Sequence, residues 1–224
     1  MLLVAIDTSG RKGSVALCRG DSASFEALQV ANLEGGTYSA RLMPVIAELL
    51  RASGFEKRDI DGFVVVSGPG SFTGLRVGLA TAKALCEVLG KPLAVVSMLE
   101  AVASTHGGHG VTVVLDAGRG EVYVGEYRAG GERATVVREY ILKLAEFPDV
   151  FRRSEGTLLT PDAAVAESLR AAGLGISLVD PVRADQIGRI GLRKLQAGEV
   201  VDPAMVDVNY IRRSDAEIFA KPGA

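Results

Sequence analysis

The order of hydrophobic and polar positions predicts three strands at the start of the chain. Short apolar runs separated by turn residues are typical of strands, and they occupy residues 2–6, 13–18 and 25–30. Because no helical pattern separates the three runs, they predict an antiparallel meander.

A helical period follows the Gly35-Gly36 loop. Apolar residues then recur at i, i+3, i+4, i+7 and i+8, the spacing of one helix face; they are Leu42, Val45, Ile46, Leu49 and Leu50. Pro44 is expected near the start of this helix, where a missing N–H does least harm. The continuously apolar residues 63–66 predict a strand that is buried on both faces and parallel to its neighbours. A helix over 75–89, a strand over 93–96 and a helix from 98 to 104 complete this half.

The same order of elements restarts after the glycine-rich residues 106–110. Strands are predicted at 111–115, 121–127, 133–140, 157–160 and 176–179, and helices at 142–147, 162–172 and 183–197. Strand-strand-strand-helix-strand-helix therefore occurs twice. This repetition predicts an α/β protein with two similar subdomains, 1–105 and 106–224, whose last segment packs back on the first.

Composition narrows the classes of function. Of the 224 residues, 48% are hydrophobic and 23% are charged, which is the balance of an ordinary globular protein. The formal net charge of −2 gives no global attraction to nucleic acid. Cys18 and Cys86 are isolated in apolar runs and read as buried thiols of a cytoplasmic protein. No apolar run approaches the length of a membrane span.

Two turns at strand ends are candidates for contacts with a nucleotide or another anion. In the first, Gly68, Gly70 and Ser71 lie where a buried strand turns into a helix, and the free N–H groups of a helix start can hold an anion. In the second, Asp7 and Ser9 follow the first strand and resemble the phosphate hairpin of actin-like ATPases. The alternative is that both are ordinary tight turns.

Small residues form a stripe along the helix that follows the junction. Gly74, Gly78, Ala82 and Cys86 recur at steps of four, which lets another helix approach closely. That helix is either part of this chain or part of a partner. From the local pattern alone, packing within the chain is favoured.

The sequence gives little support for a catalytic or metal-binding group of residues. His106 and His109 are the only histidines, and they lie in a glycine-rich stretch without an acidic or cysteine cluster beside them. No nucleophile motif accompanies them. We therefore predict neither a catalytic residue nor a metal site.

Taken together, these segments resemble the TsaB (YeaZ) family, whose members are partner proteins in threonylcarbamoyladenosine synthesis on tRNA. The resemblance runs in order through most of the chain. It rests on residues 5–9, 14–17, 67–78, 92–100, 116–123 and 209–212.

The resemblance implies an actin-like ATPase (ribonuclease-H-like) fold and a subunit without catalytic activity. The related catalytic protein TsaD holds its metal with a His-x-x-x-His pair, and by motif order Met98 and Val102 occupy those positions here. Neither side chain binds such a metal. Glu100, between them, is a single carboxylate and not a site.

The resemblance also changes the interpretation of the two helices. It implies that the chain pairs with a TsaD-like subunit, or with itself as a homodimer when alone. The predicted interface residues are Leu42, Ile46, Leu49, Gly74, Gly78 and Ala82. A TsaE-like ATPase is expected to join, tRNA is expected to be reached indirectly through the complex, and ATP is expected only within that complex, with no intrinsic cofactor. The alternatives are a stand-alone peptidase and an actin-like ATPase.

Overall fold

A computed structural model describes residues 1–106, 110–130, 133–151, 156–209 and 211. The first half contains β1 (Leu2–Asp7), β2 (Lys12–Gly20), β3 (Phe25–Glu34), α1 (Tyr38–Ala52), β4 (Gly62–Gly68), α2 (Phe72–Leu89), β5 (Leu93–Ser97) and α3 (Met98–Thr105). The second half contains β6 (Val111–Gly118), β7 (Glu121–Gly130), β8 (Arg133–Lys143), α4 (Phe147–Phe151), β9 (Thr157–Thr160), α5 (Ala163–Ala171), β10 (Ser177–Leu178) and α6 (Ala184–Gln196).

The two halves have sheets of the same topology. The strand orders are β3-β2-β1-β4-β5 and β10-β9-β6-β7-β8. In each sheet the first three strands form an antiparallel meander, and the last two are parallel to the first strand. The predicted α/β architecture with two similar halves is therefore confirmed, while the boundary at residue 105 stays a prediction.

Helix α6 crosses from the second half to the sheet of the first. It packs on β1, β2, β4 and β5, and its first N–H, on Ala184, donates to Ser14 Oγ at 2.9 Å. Gly191 allows this close approach, because a Cβ at that position would overlap the side chain of Val64. The hydrophobic core is consequently shared between the halves.

Two local predictions were wrong. The short helix predicted at 142–147 begins only at Phe147, because β8 continues to Lys143 in register with Glu121 of β7. Pro44 does not lie near the start of α1. The helix begins six residues earlier, at Tyr38, and Pro44 occupies an exposed interior position.

The C-terminal strap, residues 200–209, lies along the first half. The Val201 N–H donates to the Leu93 carbonyl at 2.9 Å, and the Asn209 N–H donates to the Ser67 carbonyl at 2.8 Å. The Asn209 side-chain amide also donates to Glu139 of β8 at 3.2 Å. The strap thus joins the ends of β4 and β5 to the second sheet.

Candidate functional site

A cleft of about 740 Å³ opens where loops of both halves meet. The first half contributes the turn after β1, the Gly35-Gly36 loop and the start of α2. The second half contributes Asp116, Ala117, Tyr123 and Asp162. Three of the five residues predicted to contact a nucleotide or anion, Ser9, Gly70 and Ser71, line this cleft.

Asp7 lines a smaller cavity next to this cleft and is fixed by its own turn. Its carboxylate is buried, and Oδ1 accepts the Ser9 N–H at 2.8 Å and the Ser9 hydroxyl at 2.6 Å. Burial raises the pKa of Asp7, although the two bonds from Ser9 oppose that rise. A carboxylate held in this way is costly to keep ionised.

Asp7→Asn is expected to stabilise the protein at pH 7, by on the order of 1 kcal/mol. The raised native pKa means that the folded state binds the proton more tightly than the unfolded state does, so ionised Asp7 opposes folding at neutral pH. The asparagine oxygen still accepts the Ser9 bonds. Urea unfolding should show the gain shrinking as the pH falls through the native pKa towards 3.8. Asp180→Asn, at an exposed carboxylate, is the control, and an equal gain in both variants would contradict this account.

The junction before α2 packs on the same turn. The Ser71 N–H donates to the Ser9 carbonyl at 2.6 Å, and Ser71 Oγ caps α2 by accepting the Gly74 N–H at 3.3 Å. A Cβ on Gly70 would lie 2.5 Å from the Ser9 carbonyl oxygen. Asp7, Ser9, Gly70 and Ser71 are thus brought together, and their role as anion contacts stays a prediction.

Gly68 is oriented differently from the other four candidates. A Cβ at this position would lie 2.8 Å from the Asn209 carbonyl oxygen, with φ at +133°. Its environment is therefore the C-terminal strap, and the structure gives a packing reason for the glycine.

The small-residue stripe of α2 faces the chain's own first sheet. Cβ atoms on Gly74 and Gly78 would overlap the carbonyl oxygen and Oγ1 of Thr8, respectively. Thr8 Oγ1 donates to the Gly74 carbonyl at 2.7 Å, and Ala82 is buried farther along the stripe. The predicted assignment of Gly74, Gly78 and Ala82 to a partner interface needs correction, because β1 and the turn after it already occupy this face.

The three leucine and isoleucine positions of α1 are likewise internal. Leu42, Ile46 and Leu49 are buried in the core that the chain forms by itself. They were predicted as interface residues because their spacing marks one apolar helix face. That spacing identifies the face turned towards the sheet, so these residues are not accessible to a partner.

The side of this helix pair that a partner can reach carries different residues. On α2 five of the exposed positions recur every four residues and, apart from one arginine, are apolar, while Thr73 and Glu87 are also exposed; on α1 the exposed positions include a methionine and an alanine. We call this set the outward face: Met43, Ala47, Phe72, Arg76, Ala80, Ala84 and Val88. Its α2 row runs parallel to the buried small-residue stripe, two positions away.

Met98 and Val102 form part of the wall of a smaller cavity of about 210 Å³ beside the cleft, with Asp7, Asp116 and Asp162 also lining it. Neither side chain offers a nitrogen or oxygen ligand. Within the described parts of the chain, no three histidine, cysteine or acidic residues are grouped so that they could hold a metal ion. His106 caps the C-terminus of α3, and His109 lies outside the described residues.

Glu100 does not belong to the cavity that Met98 and Val102 line. Its carboxylate pairs with Lys194 of α6 at 2.7 Å, and the two side chains are 13% and 17% exposed. The carboxylate therefore joins α3 to α6, which fits a structural role.

Glu100→Gln is expected to lower the free energy of unfolding by about 2 kcal/mol, because it leaves the largely buried Lys194 ammonium without its counter-charge. Replacing both partners, as in Glu100→Gln with Lys194→Met, should recover part of the loss. Chemical denaturation of the single and double variants measures both effects. Additive losses in the double variant would contradict a direct pair.

The hairpin that begins at Asp116 is held by one hydrogen bond within its turn and one to Asp162. The Asp116 N–H donates to Asp162 Oδ2 at 2.8 Å, and Asp116 Oδ1 accepts the Gly118 N–H at 2.8 Å. Burial raises the pKa of Asp162, and the Asp116 N–H opposes that rise. The carboxylates of Asp116 and Asp162 are therefore held in place in the lining of the cleft.

A family model described as TsaD: tRNA N6-adenosine threonylcarbamoyltransferase matches residues 35–179. The tRNA threonylcarbamoyladenosine biosynthesis protein TsaB of Bacillus subtilis is 33% identical over 162 residues, which cover 71% of this chain and 69% of that protein. The chain belongs to the TsaB family. The Escherichia coli member is 34% identical over 134 residues, which cover 57% of this chain and about half (55%) of that protein.

Solved structures agree on the fold of this TsaB family member. YeaZ from Pseudomonas aeruginosa superposes with a TM-score of 0.73 at 22% identity, covering 91% of this chain and 96% of that one. A protein described as similar to peptidase YEAZ from Pseudomonas aeruginosa gives a TM-score of 0.79 at 23% identity, covering 94% and 99%. The predicted actin-like, ribonuclease-H-like fold is confirmed.

The outward face is the feature that sequence reasoning missed in this TsaB family member. The signal was present, because Phe72, Arg76, Ala80, Ala84 and Val88 also recur at steps of four. The glycine stripe has the same spacing, so spacing alone does not separate the two rows. Among the described residues, no helix is both long and apolar enough to span a membrane.

Proposed function

We propose that this chain serves tRNA threonylcarbamoyladenosine synthesis as a non-catalytic partner of a TsaD-like enzyme. The names of its TsaB relatives support the process. The observation that carries the non-catalytic role is the pair Met98 and Val102. These apolar side chains line the cavity at positions where the resemblance to TsaD puts metal ligands.

Pairing is proposed to use the outward face. Ala80 and Ala84 leave room for a helix of the partner to approach closely, and Phe72 and Val88 flank them as larger apolar contacts. The Arg76 guanidinium lies 3.7 Å over the Phe72 ring, which gives this end of the row an aromatic and arginine pair of the type enriched at interface hot spots. Exposed apolar rows of this length are typical of interaction sites.

The outward face also explains the expected homodimer, and the other expected partners are reached through the assembled pair. A second copy of the chain would cover the outward face when the enzyme is absent, so homodimer and heterodimer compete. With a net charge of −2 the chain lacks a general affinity for RNA, so tRNA is reached through the complex. A TsaE-like ATPase, and with it ATP, joins the assembled pair.

Depletion of the protein in its own cells tests the proposed function. Mass spectrometry of digested tRNA should show that threonylcarbamoyladenosine falls while unmodified adenosine at the same position rises. Restoring the chain should restore the modified nucleoside, and restoring the Met98→Ala variant should do so equally well if Met98 has no catalytic role. An unchanged level of threonylcarbamoyladenosine after depletion contradicts the proposal.

A further inference from the structure

The C-terminal strap contains a closed turn at residues 202–206. The N–H groups of Met205 and Val206 both donate to the Asp202 carbonyl, at 3.1 and 3.0 Å. The Asp202 side chain accepts the Ala204 N–H at 2.8 Å. The turn is therefore held by three hydrogen bonds of its own.

A lysine of α2 fixes the position of this turn. Lys83 Nζ donates to the Ala204 carbonyl at 3.4 Å and to the Val206 carbonyl at 2.9 Å, so its two acceptors flank Met205 in sequence. Lys83 itself is half-buried. The turn is consequently attached to the same helix that carries the long row of the outward face.

Met205 is presented to solvent by this arrangement. Its side chain is 80% exposed, and Val88 of α2 is 78% exposed; these are the highest values among the large apolar side chains that the structure describes. A side chain this exposed gives the isolated chain little hydrophobic stabilisation. A hydrogen-bonded turn that holds a methionine outward, and that is attached to α2 through Lys83, three residues from Ala80, is instead suited to contact another surface.

We propose that the turn at residues 202–206 extends the docking surface onto the strap, with Met205 as an apolar anchor that enters a pocket of the partner. The inference rests on the proposed pairing, and its occupant is the same TsaD-like subunit that covers the outward face. Asp202 and Asp207 are exposed on either side of Met205, so the pocket that complements the turn is apolar with a basic rim.

The test is the affinity of the full-length chain for the TsaD-like protein of the same genome, measured by biolayer interferometry. Met205→Glu should weaken binding by at least about 10-fold, as expected for loss of an apolar anchor. Leu178→Glu, at an exposed leucine of β10 in the other half, should leave it unchanged. Lys83→Met keeps the aliphatic stem but releases the turn, and it should weaken binding by a smaller factor. Melting temperatures of the Met205 and Leu178 variants that equal that of the unmodified chain would establish that folding is intact.

The possible failures are distinguishable. If the unmodified chain does not bind the TsaD-like protein, the proposed pairing fails and the anchor falls with it. If it binds and Met205→Glu binds equally well, only the anchor is overturned. If Met205→Glu disrupts the homodimer in sedimentation experiments but not the heterodimer, the occupant is a second copy and the inference is overturned in that form.

Discussion

Ala84→Arg is expected to reduce binding of the TsaD-like partner by about 100-fold or more. The residue lies in the middle of the exposed row on α2, next to Ala80 along the helix face, where a partner helix would have to approach closely. An arginine there both blocks the approach and brings an uncompensated charge into an apolar contact. Changes at central interface residues typically cost about 2–4 kcal/mol of binding free energy.

The variant should leave the folded chain unaffected, because Ala84 is exposed and arginine is a good helix former. Ala164→Arg is the matched control, since it places the same side chain at an exposed alanine of α5 in the other half. Isothermal titration calorimetry with the partner compares the two. Retained affinity in Ala84→Arg would show that the outward face is not the docking surface.

Gly78→Ala is expected to destabilise the protein by about 3 kcal/mol or more. In an exposed helix interior the same change would stabilise by up to about 1 kcal/mol. Here, however, the new methyl group would overlap Thr8 Oγ1, which is itself bonded to the Gly74 carbonyl. Either α2 moves away from β1 or the hydrogen bond breaks. Both changes disturb the packing of the core that α2 covers.

Gly175→Ala provides the comparison, because no heavy atom lies within 4 Å of a Cβ built there. Urea denaturation should give it nearly the stability of the unmodified chain. If Gly78→Ala were as stable as the unmodified chain but no longer bound the TsaD-like partner, the stripe would be part of an interface instead. The two glycine variants therefore decide which side of α2 is internal.

Much of the fold was predictable from hydrophobic period alone. The meander of β1 to β3 and the parallel strands β4 and β5 follow from short apolar runs, and each occurs where the pattern placed it. The failures were local. The β7–β8 hairpin is longer than its apolar pattern, because cross-strand pairing extends strands beyond their most hydrophobic residues.

The site was harder to predict because helical period identifies a face without giving its orientation. Gly74, Gly78 and Ala82 share one face of α2, and Ala80 and Ala84 share another. Only the position of Thr8, directly after β1, decides that the first is internal. The contacts of Lys83 with the strap join residues more than 120 positions apart, and no local pattern indicates such a contact.

Reconstitution of the modification with purified components tests the central claim most directly. Unmodified tRNA, the threonylcarbamoyl donor and a TsaD-like protein with its ATPase would be combined with and without this chain, and threonylcarbamoyladenosine would be quantified by mass spectrometry. The account predicts no product from this chain without the TsaD-like protein, and product that rises strongly when both are present, for the unmodified chain and Ala164→Arg but not for Ala84→Arg. Product formed by the chain alone, or a TsaD-like protein that is equally active in its absence, would contradict the account.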